Sequence, residues 1–129
     1  FRFIDFKIIE SNIVNHFGNQ NPKDLKLQFN PKGKVDGKNF LLFLEVIMTS
    51  NDGLFKIEVE TKSTFEFDDN VNKDTLSNFF FLNAPAIVFP YIRSYISALT
   101  SLSGVQTINL PTMNLVGLKD ILRERTSFD

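Results

Sequence analysis

Cysteine and tryptophan are absent from this 129-residue chain, and histidine occurs once. Without cysteine there is no disulfide framework, no thiol nucleophile and no thiolate metal site, which fits a reducing, cytoplasmic setting. His16 alone cannot supply the three or four ligands of a usual zinc site, so no metal or cofactor is expected. The net charge is −1, with an isoelectric point near 5.8. No basic field is present to draw in nucleic acid or an anionic membrane surface. The opening residues, "FRFIDFKIIE", carry charge throughout and do not read as a secretory signal. The longest weakly polar run, "FFFLNAPAIVFPYI", holds an Asn and two prolines. It falls short of the roughly 18 apolar residues of a membrane span, so membrane insertion is not expected. Neither a glycine-rich phosphate cradle nor a serine elbow is found. His16 sits at a strand end as a surface or capping residue, and Glu58 and Glu60 share a strand face that reads as solvated. Taken together, these absences argue against an enzyme.

Charge is missing in another sense. From Thr75 to Leu118 the only charged residue is Arg93. The same chain carries 15 Phe against two Tyr. A core accounts for most of them, but a domain this small has little room to bury them all. Some are expected on an apolar groove or a subunit interface.

The length predicts one domain, 1–129. Residues 1–17 read as a long strand whose apolar parity changes near Ile4–Asp5, the mark of a bulge. "GNQNP" signals a turn, and "DLKLQFN" alternates with Leu25, Leu27 and Phe29 on one face. "NPKGKVDGK" reads as a loop. "NFLLFLEVIMTS" is nearly continuous apolar sequence, as for a strand covered on both faces, and "NDG" is a hairpin signal. In "LFKIEVETKSTFEFD", Phe55, Ile57, Val59, Thr61, Ser63, Phe65 and Phe67 alternate with polar residues, as required of a strand with one dry and one wet face. The first 68 residues thus form an antiparallel meander.

Helices follow. One is expected to start after Asp74, with Asn83 as an N-cap and Pro90 forcing a kink or restart. Val88, Ile92, Tyr95, Leu99 and Leu102 recur at steps of four and three, a seam for packing lengthwise on another helix. Ile87, Tyr91, Ile96 and Ala98 widen that surface beyond one sheet-facing stripe. Self-association through the seam is expected, while the remaining face is mostly Ser and Thr. Gly104 ends the helix, and Asn114 caps a short second one, "NLVGLKDILRER". Between them, "GVQTINLPTMNL" is an uncharged apolar loop that must lie on something or wait for something.

The stretch "NAPAIVFPYIRSYISALTSLSGVQTINLPTMNL" resembles the SecB protein-export chaperones. The family's helix entry, Pro–x–x–x–Phe–Pro–Tyr–x–Arg, is matched by Pro85, Phe89, Pro90, Tyr91 and Arg93. Its Leu–Asn–Leu–x–Pro–x–Asn–Phe loop is matched, one position offset, by "INLPTMNL", with Leu115 where Phe is usual. "FKIEVETKSTFEF" and "LKLQF" look like the family's last and second strands, so the resemblance covers roughly 1–123.

The resemblance implies an α+β fold, a four-stranded antiparallel sheet with two helices on one face, assembling as a homotetramer (a dimer of dimers). It implies an ATP-independent holdase that binds unfolded or precursor proteins in apolar grooves. Carried over by position, the groove comprises Leu25, Leu27 and Phe29, then Val105, Ile108, Leu110, Met113 and Leu115, then Leu118, Ile121 and Leu122. Glu10 and Glu58 match acidic positions that dock the SecA motor, whereas Val14 or Asn15 replaces a third, and the family's tail is essentially missing after Arg125. Dedication to one partner, such as the antitoxin of a toxin–antitoxin pair, is the nearest alternative. A private interaction module or a small-molecule role on the sheet face are the other readings.

Overall fold

The computed structural model describes residues 1–16, 25–69, 76 and 78–128. Strands β1 (Arg2–Asn15), β2 (Lys26–Asp36), β3 (Asn39–Thr49) and β4 (Phe55–Glu66) precede helices α1 (Asn78–Ser101) and α2 (Leu118–Glu124), and β5 (Thr126–Phe128) follows. The sheet order is β1-β4-β3-β2-β5. The meander therefore forms as expected, but the sheet has five strands rather than four, because β5 adds in parallel to the outer edge of β2. The predicted turn at 18–22 and the helix start after Asp74 lie outside the described residues.

Alternation builds the core. Phe40, Leu42, Leu44, Val46 and Met48 of β3 and Phe55, Ile57, Val59 and Phe65 of β4 are buried on one face. Both helices pack there, contributing Phe80, Phe81, Ala84, Val88, Phe89, Ile92 and Ile96 from α1, and Leu118 and Leu122 from α2. Phe80 is a hub, meeting Phe40 edge-on at 4.8 Å and Phe1 at 5.1 Å between ring centroids. The opposite side of β3 is only half-buried at Leu41, Phe43, Glu45, Ile47 and Thr49, so that strand is not covered on both faces. In β1, register shifts fall between Phe3 and Asp5, as its parity change implied, and again between Ile8 and Glu10.

Three local expectations are corrected. "NPKGKVDGK" is no loop: β2 runs through it to Asp36, and the turn follows at Gly37, whose φ is 61°. Pro31 is tolerated because it costs only an outward-facing donor on this outer part of the sheet. The α1 helix does not break at Pro90, and Asn83 is an interior residue rather than a cap. Two internal prolines cost about 3 kcal/mol or more each. Burying each large apolar side chain returns roughly 1.5–3 kcal/mol, and α1 buries six of them besides Ala84. Finally, α2 starts at Leu118 with Gly117 at its cap, and the Asn114 side chain instead accepts the Val116 N–H at 3.0 Å. The α1 helix ends at Ser101, and Gly104, at φ 79°, lies in the turn that follows it.

Candidate functional site

The apolar stretch divides between core and surface. Val88 and Ile92 are wholly buried on this chain's own sheet, so they drop out of the outward seam. Tyr95 and Leu99 are half-buried, and Leu102 is 86% exposed. A four–three repeat specifies a stripe but not whether a sheet or a helix covers it. Tyr91 is exposed beside Phe3 and Phe6 of β1, at 5.4 Å from each ring. The Tyr95 hydroxyl lies 2.8 Å from Ser11 Oγ. The outward surface of α1 therefore continues onto β1, an edge strand.

The Ser/Thr face of α1 has a partner that composition did not suggest: it holds the loop. Arg93 Nη1 donates to Thr112 Oγ1 at 3.2 Å, and Ser97 Oγ donates to Asn109 Oδ1 at 2.8 Å. The Ile108 N–H donates to Thr100 Oγ1 at 2.9 Å, while that hydroxyl donates to the Ile96 carbonyl at 2.8 Å. The three residues stand at i, i+4 and i+7, one face of a helix. Pinned this way, the loop rests Val105, Ile108, Leu110 and Met113 against the core while leaving them half-exposed.

Leu25, just before β2, and Leu27 and Phe29 on it are also half-buried. Phe29 reaches Phe89 of α1 edge-on at 5.7 Å. Thus β2 and the loop flank the same helix, and α2 touches both α1 and β2. Of the carried-over groove residues, Leu115, Leu118 and Leu122 are core, at 8, 8 and 0% exposure, and cannot line an open groove. Ile121 is exposed. The apolar strip that remains is Leu25, Leu27, Phe29, Val105, Ile108, Leu110, Met113 and Ile121.

The bare face of the sheet is chemically different. Register places Glu10 opposite Glu60, Glu60 opposite Glu45, and Glu45 opposite Asn30, one row across four strands. Like charges directly opposite destabilise a sheet. Asn30 offsets part of this by donating to Glu45 Oε1 at 2.9 Å, and Lys56 pairs with Glu58. A cavity of about 380 Å³ opens beside the row, lined by Asn30, Pro31, Lys32, Phe43, Glu45, Glu60 and Arg125. Glu10 and Glu58 join Glu45 and Glu60 around a smaller depression. Sequence reading missed Glu45, which hides in an apolar run. Pairing β3 with β4 in antiparallel register would have found it. His16 is exposed beyond β1, its backbone N–H bonded to the Leu54 carbonyl.

A sheet with one helix-covered face, one charged face and an exposed apolar strip along its helices defines a binding protein of the α+β class. Among the described residues, no helix is long and apolar enough to cross a membrane. The family model for SecB, the preprotein translocase subunit, matches residues 4–121. The chain belongs to the SecB chaperone family. A protein-export protein SecB from Dinoroseobacter shibae is 30% identical over 69 residues, covering 54% of this chain and 40% of that relative. The matched stretch thus spans less than half the relative's length. A SecB-like chaperone of Mycobacterium tuberculosis, solved in complex with a ChAD peptide from the HigA1 antitoxin, shares the fold. Its TM-score is 0.71 at 18% identity, covering 87% of this chain and 86% of that one.

Proposed function

We propose that this protein is an ATP-independent holdase, not an enzyme, that binds unfolded or precursor polypeptides and keeps them competent for translocation. One observation carries the reading: the uncharged loop at 104–115 is fastened to α1 by polar side chains, yet leaves Val105, Ile108, Leu110 and Met113 half-exposed. A segment that was merely core would bury them. An unfolded client exposes scattered apolar side chains without fixed shape. The strip offers non-directional affinity of about 25 cal/mol per Å² buried, before ordering costs. Met113 adapts its shape to whatever arrives. Homotetramer formation through the outward side of α1, with Tyr91, Tyr95 and Leu102, would multiply the strips and the avidity for long clients. The charged face carrying Glu10 and Glu58 is the natural dock for a basic surface, such as that of the SecA motor.

A second reading, dedication to one antitoxin, draws on the fold shared with the chaperone solved with an antitoxin peptide. Calorimetry with several unrelated proteins, each unfolded and native, separates the two. Micromolar binding to the unfolded forms alone supports the general holdase. Binding to none of them points to a single partner. Leu110→Ser is expected to weaken client binding several-fold without changing the native mass. If it only lowers the melting temperature, Leu110 is core and the strip is wrongly drawn.

A further inference from the structure

The outer edge of β2 is taken up over only part of its length. β5 pairs with Gly33, Lys34 and Val35 alone, against the eleven residues that pair with β3 on the other side. The Gly33 N–H points outward and donates to the Arg125 carbonyl at 3.2 Å. Backbone groups alternate along an antiparallel strand, so Leu27 and Phe29 turn their N–H and C=O groups the same way, toward an edge no strand occupies among the described residues. Pro31 separates the two stretches and contributes no donor. Gly33 is shaped for close approach: a Cβ there would stand 2.5 Å from Thr126 Oγ1 and 2.8 Å from Phe40 Cζ. The β5 attachment is slight, with Ser127 exposed and Thr126 and Phe128 only half-buried.

We propose that the outer edge of β2 is a strand-addition site for extended client segments, and that β5 is a built-in competitor occupying its far end. The inference rests on the holdase reading and specifies how the client's backbone is held. An extended polypeptide pairs with a strand edge whatever its sequence, which suits a binder of many unfolded chains. With β5 in place the edge offers two outward N–H donors, from Leu27 and Phe29. When β5 leaves, Gly33 and Val35 add two more, and the client segment can be longer. The side chains of Leu27 and Phe29 belong to the apolar strip, so edge and strip would hold the same client by backbone and side chains together.

The test uses the absence of cysteine. Lys34 and Ser127 are direct register partners, so Lys34→Cys with Ser127→Cys gives one disulfide that locks β5 down and releases it on reduction. Binding of permanently unfolded, reduced and carboxymethylated α-lactalbumin is measured by calorimetry to both forms, with circular dichroism checking the fold. The oxidised form is expected to bind about tenfold more weakly than the reduced form, equivalent to one or two net backbone hydrogen bonds. Ser127→Pro removes the N–H that the parallel ladder aims at the Gly33 carbonyl, and is expected to bind at least as tightly as the wild type. Equal affinity of the oxidised and reduced forms overturns the proposal while leaving the holdase reading intact. Weaker binding by Ser127→Pro also overturns it, because β5 would then be part of the site. If the wild type itself fails to bind, both readings fall together.

Discussion

Thr100→Val tests whether the apolar loop is held by α1 or merely rests near it. The side chain is wholly buried, and valine matches its volume while removing only the hydroxyl. That hydroxyl satisfies two groups at once: the Ile108 N–H donates to it at 2.9 Å, and it donates to the Ile96 carbonyl at 2.8 Å. The Ile96 carbonyl loses an accessory bond. The Ile108 N–H loses its partner in a part-buried setting, which costs about 1–3 kcal/mol. For a chain between the size classes usually surveyed, each kcal/mol shifts the melting temperature by about 3–5 °C. A fall of about 3–15 °C is therefore expected. Hydrogen exchange at the Ile108 amide should quicken, and the neighbouring loop amides should follow. Thr100→Ser keeps the hydroxyl and should preserve the amide's protection while losing only the methyl's packing. An unchanged melting temperature with unchanged protection at Ile108 would refute the tether.

Three further outcomes are expected. Tyr95→Arg places a charge on the outward surface of α1, and if the proposed homotetramer forms there, native mass spectrometry should show a smaller assembly than for the wild type; an unchanged mass would remove that surface from any subunit interface. Ser63→Ala should stabilise the protein by about 1 kcal/mol, because the buried Ser63 hydroxyl has no hydrogen-bond partner among the described residues; destabilisation in a thermal melt would mean that a partner exists. Hydrogen bonds from the Ser50 hydroxyl and then the Leu54 N–H hold the Asp52 carboxyl below its ordinary value of 3.8. Its contribution to the β3–β4 turn is thus complete above pH 3.8 and is lost as pH falls through the lower, folded value. Asp52→Asn should abolish that part of the acid dependence, read from melts across this range.

Elements governed by local alternation were the most legible in the sequence. β4 could be read residue by residue, because one dry and one wet face leave a period of two. The bulge near Ile4 followed from the same logic. Where tertiary packing overrides local preference, sequence reading failed. Pro31 and Gly33 look like a loop until β2 is known to lie near the sheet's edge, where a missing donor is cheap. Pro90 looks like a helix breaker until Phe80, Phe81 and Phe89 are seen buried around it. Val88 and Ile92 carry the period of a helix seam, but a period cannot name the surface it meets. The candidate site was legible in outline through the uncharged loop. Assigning Leu115, Leu118 and Leu122 to core needed α2 to be docked. The carboxylate row needed strand register, since Glu10, Glu45 and Glu60 are far apart in the chain.

The two faces of this sheet should answer differently to salt. On the bare side, Glu10, Glu45, Glu58 and Glu60 act through fields that ions screen over about 8 Å at physiological ionic strength. Along α1 and its loop, Arg93 is the only charge across more than forty residues, so there is little there to screen. A partner held by the carboxylates should dissociate as salt rises, whereas a chain held by the apolar strip should stay. Ionic strength alone can thus peel one class of partner from this protein and leave the other in place.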